Sequence, residues 1–325
     1  MLVPAYWAEA RVQGQVAKRP VTVRRFGWSD ASSEDAQRSA NERAQEAFDR
    51  IAAGVKLPRR EPKVAYNGAQ GVPIREEILS RHGEVVVTRN AYGAHCLNTP
   101  DVLFADVDFA EDMPPRLMAF ACILLQALAA VWGWHERSWW LAIGGAFLGL
   151  IVALSLGPTV HRAWLRVRGG AEAIARKRLA VFLDTHRDWR VRLYRTPAGL
   201  RVMAVHRRFD PTEEAVEECF HALGVDRDYA RMCVNQRCFR ARVSPKPWRI
   251  GIESHMRPRP GVWPVDPERL PVRLRWIESY EQTMRDYASC RYIDSIGHGA
   301  VSDETRPVQV LHDEMSRAES ALPIA

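Results

Sequence analysis

The sequence has little of what marks a secreted, repetitive or disordered protein. Its opening, MLVPAYWAEARVQGQ, lacks a basic start followed by an apolar run, so no cleaved signal peptide is expected. No internal repeat or low-complexity tract stands out. Cysteine is scarce, six in 325 residues, and in a chain expected to face the cytosol these should be thiols rather than disulfides. The spacings of Cys219 with His221 and of Cys233 with Cys238 are not those of common zinc fingers. Asn67 to Gly71, NGAQG, lacks the Gly-Lys-Ser/Thr ending of a phosphate loop, and no G-x-S-x-G elbow occurs. His312 and Asp313 are adjacent in an expected C-terminal helix, which should point their side chains apart. Charge of one sign is only in mild excess, 46 Lys+Arg against 39 Asp+Glu for a net +7, which permits nucleic acid without implying it.

What is present is the mix of a chain that buries a core: 47% hydrophobic and 26% charged residues. A length of 325 residues suits one large or two small domains. The mean hydropathy of -0.27 averages over one block that is plainly apolar. From Leu117 the chain reads LMAFACILLQALAAVWGW, and after the HERS connection it resumes as WWLAIGGAFLGLIVALSLGPTV from Trp139 to Val160 with no charge. A helix needs about 20 apolar residues to cross the hydrocarbon layer, and so short a connection forces antiparallel neighbours. Residues 117–160 are therefore expected to be a transmembrane helical hairpin inserted in a bilayer, between cytosolic regions at 1–113 and 161–325. Arg162, Arg166, Arg168, Arg176, Lys177 and Arg178 follow the second span, whereas the connection offers only Arg137. The positive-inside rule then places both termini in the cytoplasm, at a bacterial inner membrane. Trp132, Trp134, Trp139 and Trp140 cluster at the opposite interface, and Gly144, Gly145 and Gly149 offer close helix approach.

In the flanking regions, VTVRRFGW (21–28) reads as a strand and is followed by a helix capped at Ser29 or Asp30 and stopped at Gly54. A short helix from Pro73 to Gly83 is expected, then a β-branched strand from Glu84 to Thr88. A strand at 101–109, the hairpin, an amphipathic helix over 169–188, strands at 189–194 and 200–205, a helix between Asp210 and Gly224 and a strand at 237–243 complete the main pattern. A helix is expected from Val272 to Ile293, packing Trp276 and Tyr280. The order is βαββαβ, so the expected fold class is α+β: a ferredoxin-like cytosolic domain interrupted in its first crossover by the two-helix hairpin.

Alternation along a strand puts Phe104, Asp106 and Asp108 on one face, and Arg240 and Arg242 on one face of the last strand. Two carboxylates projecting together, as in FADVDF, suit Mg2+ or Mn2+ with phosphate oxygens completing the shell, so Asp106 and Asp108 are the candidate metal ligands. The competing reading is an Asp–Arg network that is purely structural. Arg195, Arg201, Arg240, Arg242 and Lys246 make the second half cationic, with Tyr194, Phe239 and Trp248 interleaved. Guanidinium forks suit phosphates and aromatic faces suit bases, which points to a nucleotide or nucleic acid; anionic lipid headgroups would be met by the same charges. Only a few residues separate Asp108 from the first span, so a site there lies close to a bilayer surface.

The Asp-x-Asp pair on this strand order resembles the palm or primase-like (RRM-like) nucleotidyl transferases, and Thr196, Pro197 and Gly199 match the turn that follows in primase-polymerases. That resemblance implies metal-dependent nucleotidyl transfer. The sequence departs from it at Arg201, where a His is expected, in the last strand, which has no third carboxylate, and in lacking the cyclases' GGDEF-type turn. Over most of its length, with YRTPAGLRV followed by CFRARVSPKPWR, the chain resembles uncharacterised bacterial transmembrane proteins, a likeness that implies no activity. The expectation is thus an inner-membrane-anchored domain binding a phosphate-bearing ligand, with a membrane scaffold or sensor module as the alternative. No catalytic residue and no protein partner is assigned.

Overall fold

A computed structural model describes residues 3–61, 73–109, 112–259 and 263–325. The chain divides into two compact units: one takes the chain up to Asp106 with His186–Pro197 and Arg201–Ala325, and the other takes Val107–Thr185 with Ala198–Leu200.

The first unit opens with an antiparallel pair, β1 (Tyr6–Val16) and β2 (Arg19–Ser29), and a helix α1 (Ser33–Ala52). Ser32 caps α1 by accepting from the Asp35 N–H at 3.0 Å, satisfying a donor that the first turn leaves open. The buried stripe of α1 is all alanine, at 36, 40, 44 and 47, and a Cβ at Gly27 of β2 would collide with the backbone of Ala36 and Ala40. Small residues on both surfaces let helix and ribbon touch main chain to main chain.

Next come β3 (Glu77–His82), β4 (Val85–Arg89), β5 (His95–Thr99) and β6 (Phe104–Asp108). The helix expected between Pro73 and Gly83 is instead a strand: β3 pairs antiparallel with β4 around a turn in which Gly83 takes φ +59°, a left-handed conformation that glycine adopts without strain. The expected strands at 84–88 and 101–109 are present as β4 and β6. After the hairpin helices and α4 (Gly170–Thr185) follow β7 (Arg190–Thr196), β8 (Gly199–Ala204), α5 (Glu214–Leu223), α6 (Arg227–Gln236), β9 (Phe239–Arg242), α7 (Leu270–Thr283), β10 (Arg291–Gly297) and α8 (Arg306–Ser316). The helix expected up to Ile293 ends at Thr283, and Trp276 and Tyr280 stack at 5.3 Å as anticipated.

The fold is mixed α+β with antiparallel pairing, but the single βαββαβ sheet is not its arrangement. One four-stranded sheet runs β10-β7-β8-β6 and another runs β3-β4-β5-β9. The last strand of the expected pattern, β9, pairs with β5, so it does not share the sheet of β6. Strand order along the chain carries no information about β5 or β10 as partners, and those two strands recruited β9 and β7.

The second unit holds α2 (Pro115–His135) and α3 (Trp139–Val167), two helices long and apolar enough to cross a membrane. Their most apolar stretches are only 11% and 6% buried, and Phe120, Ile123, Leu128, Val131, Phe147 and Leu148 are exposed. Where the helices meet, the residues are small. A Cβ on Gly145 would lie 3.1 Å from the Ala129 Cβ, one on Gly149 would lie 3.1 Å from the Leu125 Cβ, and one on Gly133 would strike Ala142. Gly144, the third glycine singled out from sequence, faces open space. Pro158 lies inside α3 and removes one donor from its backbone ladder.

Candidate functional site

One face of β6, Ala105 and Val107, is buried, while the other runs from buried Phe104 through half-buried Asp106 to exposed Asp108. The bonds from Ala204 N–H to Leu103 C=O and from Phe109 N–H to Ala198 C=O run in opposite chain directions, so β6 and β8 are antiparallel and Asp106 lies opposite Arg201. Such cross-strand positions bring side chains into direct contact. Arg201 donates from Nε to Asp106 Oδ1 at 2.7 Å and from Nη2 to Oδ2 at 3.0 Å, the two parallel bonds of a fork on a carboxylate. Burial pushes the Asp106 carboxyl up, but the Arg201 guanidinium, helped by Arg242, outweighs it and holds the group below its usual range.

The remaining donor of Arg201, Nη1, reaches the Arg242 carbonyl at 2.8 Å and His312 Nε2 at 3.2 Å. Because Nε2 must accept there, the His312 proton sits on Nδ1, 3.0 Å from Asp313 Oδ1. Asp313 Oδ2 in turn accepts from Arg192 Nη2 at 2.8 Å. His312 has no exposure, packs its ring on Phe104 and Tyr194 with centroids 5.1 and 4.8 Å away, and is held neutral by burial. The contact between His312 and Asp313 corrects the expectation that adjacent helix positions point apart: the last turns of α8 let both side chains lean toward β7 and β8. Cys290 Sγ lies 4.0 Å from His312 Nε2, a composition reminiscent of a Cys-His-Asp nucleophile system. Arg201 already occupies the nitrogen that would take the thiol proton, and burial raises the Cys290 thiol further above neutrality. The group is a closed chain of charge from Asp106 to Arg192.

A second network involves Arg240. Its Nη2 donates to both oxygens of Glu76, at 2.8 and 2.6 Å, and both residues are nearly fully buried, at 7% and 2% exposure. Thr88 Oγ1 donates to Glu76 at 2.7 Å, and Asn98 Nδ2 donates to Thr88 Oγ1 at 3.1 Å. The Tyr229 hydroxyl donates to the Phe104 carbonyl at 2.9 Å and accepts the Arg240 N–H at 3.2 Å, so β6 and β9 are joined through a phenol instead of a sheet ladder.

The structure therefore brings together Asp106, Arg201 and Arg242, and sends Arg240 to Glu76. Arg195 is at the end of β7, opposite Arg291 of β10, and the Lys246 ammonium lies 5.4 Å over the ring of Trp248. Asp108 is exposed and lines a cavity of the second unit. Among the described residues no group of three or more His, Cys, Asp and Glu is placed to hold a metal ion. A cation on Asp106 would have to displace Arg201, leaving a buried guanidinium unpaired at a cost of several kcal/mol, about 3–5. Glu76, His312 and Asp313 were not among the sequence candidates. A buried carboxylate at Glu76 had no sequence signal, because its neighbours IREEI read as the polar face of a helix.

All six cysteines are free, as expected. Cys219, Cys233 and Cys238 are buried, and burial pushes the Cys219 and Cys238 thiols up to about 12. No protein-family model, curated protein or solved structure matches this chain.

Proposed function

We propose that this chain is a membrane-anchored, non-catalytic scaffold or sensor module, in which α2 and α3 cross the inner membrane of a bacterium and both chain ends lie in the cytoplasm. The observation that carries this reading is the exposure of two adjacent apolar helices, whose most apolar stretches are only 11% and 6% buried. In water so large a contiguous apolar surface has no stable home, and a bilayer supplies one. The cationic run through the end of α3 and into α4 supports the orientation: Arg162, Arg166, Arg168, Arg176, Lys177 and Arg178 are all exposed, where phosphate headgroups would meet them. Asp106 fits the structural role, since both of its oxygens serve Arg201.

The test is topological. Single cysteines at Ser138 and the exposed Ala321 in an otherwise cysteine-free chain should label oppositely: a membrane-impermeant maleimide reaches Ser138→Cys in intact cells, and Ala321→Cys only after the membrane is opened. Extraction of the chain by alkaline carbonate would overturn the anchor.

A second reading, a nucleotide or nucleic acid bound outside the membrane, draws on the exposed ring of Trp248, which has Lys246 over its face and Tyr92 at its edge with centroids 5.2 Å apart. Base stacking on such a ring contributes about 1–3 kcal/mol. Quenching of Trp248 fluorescence by nucleoside triphosphates or oligonucleotides, lost in Trp248→Leu, supports it; no quenching rejects it.

A further inference from the structure

The second unit has a half-open cavity of about 840 Å3 between α2, α3 and α4, within the size range of small-molecule sites. Its walls are largely apolar, with Leu125 of α2, Leu156 of α3 and Ile174 of α4 among them. Three polar side chains also line it: Asp108, His161 and Arg178.

These polar groups gather at one end. Asp108 closes β6 just before α2 begins, His161 directly follows the uncharged stretch of α3, and Arg178 lies on the helix after it. At the other end the lining reaches Leu125 and Val152. From His161 back to Val152 the helix rises roughly 14 Å, so the cavity runs as a long apolar slot beside the helices with a polar mouth. Leu125 lies at a similar level along α2.

The mouth carries both signs of charge. Among the described residues, Asp108 and Arg178 have no ion-pair or hydrogen-bond partner. His161 Nε2 is buried with no hydrogen-bond partner, while its ring stacks on Trp164 at 5.8 Å. A lone anion at the mouth would be repelled by Asp108, and a lone cation by Arg178. A ligand with one of each satisfies both, and an apolar tail fills the slot that water would not.

We propose that this cavity seats one phospholipid whose zwitterionic headgroup carries a primary ammonium, with the phosphate at Arg178 and His161, the ammonium at Asp108 and an acyl chain along α2 and α3. The proposal rests on the membrane reading above and names the lipid class that the anchor selects. A phosphate without the ammonium would leave Asp108 facing negative charge, and a trimethylated ammonium has no N–H to give its carboxylate.

The full chain, purified in mild detergent and examined by native mass spectrometry, should retain one phosphatidylethanolamine in preference to phosphatidylglycerol or phosphatidylcholine by at least tenfold. Asp108→Asn should abolish that preference, and Arg178→Gln should weaken retention of all three by about tenfold. Ala121→Phe, which narrows the apolar slot and leaves the headgroup residues intact, should reduce lipid occupancy at unchanged thermal stability. Equal retention of the three lipids by the wild type, or an Asp108→Asn chain with undiminished preference, overturns the proposal. Carbonate extraction of the membranes from which each chain is purified keeps the two readings apart: a chain that stays in the membrane but shows no lipid preference retains its anchor and loses its seat, and an extractable chain loses both.

Discussion

The hairpin and the first unit solve the problem of the interior in opposite ways. In α2 and α3 the contacting residues are Gly133, Ala129, Gly145, Gly149 and Ala153, and the large apolar side chains point out. In the first unit Arg201, Arg240 and Arg273 are buried, each against a carboxylate: Asp106, Glu76 and Glu77. The difference shows that an interior is chosen against its surroundings. Helices whose surroundings are apolar gain nothing by burying Leu and associate through close backbone packing. A unit surrounded by water holds these three guanidiniums inside against carboxylates, and such pairs set geometry more than they raise stability.

The comparison breaks most sharply at Glu76. Glu76→Ala leaves Arg240 buried without a counter-ion and should destabilise the protein by about 3–5 kcal/mol, read from thermal or denaturant unfolding in detergent. The pair replacement Glu76→Leu with Arg240→Met should recover most of that loss; a single-variant loss below about 1 kcal/mol would show the pair to be idle. Next in size is a charge placed on the outward face of each region. Leu148→Arg should raise the cost of membrane insertion by roughly 2.5–3.5 kcal/mol, seen as a fall in the membrane-integrated fraction, whereas Val272→Arg on α7 should stay within about 0.5 kcal/mol. Equal effects at both sites would erase the distinction between the two exteriors.

Acid should weaken the first unit through its buried histidines. Burial and the neighbouring Arg89 hold His95 down to about 4 in the folded chain, against about 6.5 when unfolded. Its folded pKa is depressed, so its contribution is fully present above pH 6.5 and is lost as pH falls toward 4. The loss should be on the order of 3 kcal/mol, and His95→Gln should flatten stability between those limits. His312, also shifted down by burial, acts in the same direction. The smallest expected effect is at the helix contact: Gly149→Leu pushes α3 off Leu125 and should cost about 1–2 kcal/mol of hairpin stability, while the same change at Gly144, which meets nothing, should be silent.

The elements that could be read in advance are those whose signals are local. Uninterrupted apolar runs marked α2 and α3, Gly54 and Gly224 marked where α1 and α5 stop, and the TPAG turn between β7 and β8 was legible in Thr196 to Gly199. β3 was misread because EILSRH has neither alternation nor a clean helical stripe, and its state follows from the ladder with β4. β10 was taken as the end of a helix for the same reason; pairing with β7 decides it. For the site, the reading that competed with a metal pair set Asp106 and Asp108 against Arg240 and Arg242. Asp106 instead meets Arg201, which became its cross-strand neighbour only through the β8–β6 register, and Arg240 is held by Glu76, just before β3.

By itself the sequence determined that two apolar segments form adjacent helices with the bulk of the charged chain outside them, because helix formation and hydrophobicity depend on neighbours within a few residues. Only the tertiary structure decided which strands share a sheet, which carboxylate neutralises which guanidinium, and that Asp108, His161 and Arg178 line one cavity. Those outcomes depend on pairings between residues far apart in the chain, where many combinations of similar local propensity compete and the packing and pairing of the whole unit select among them.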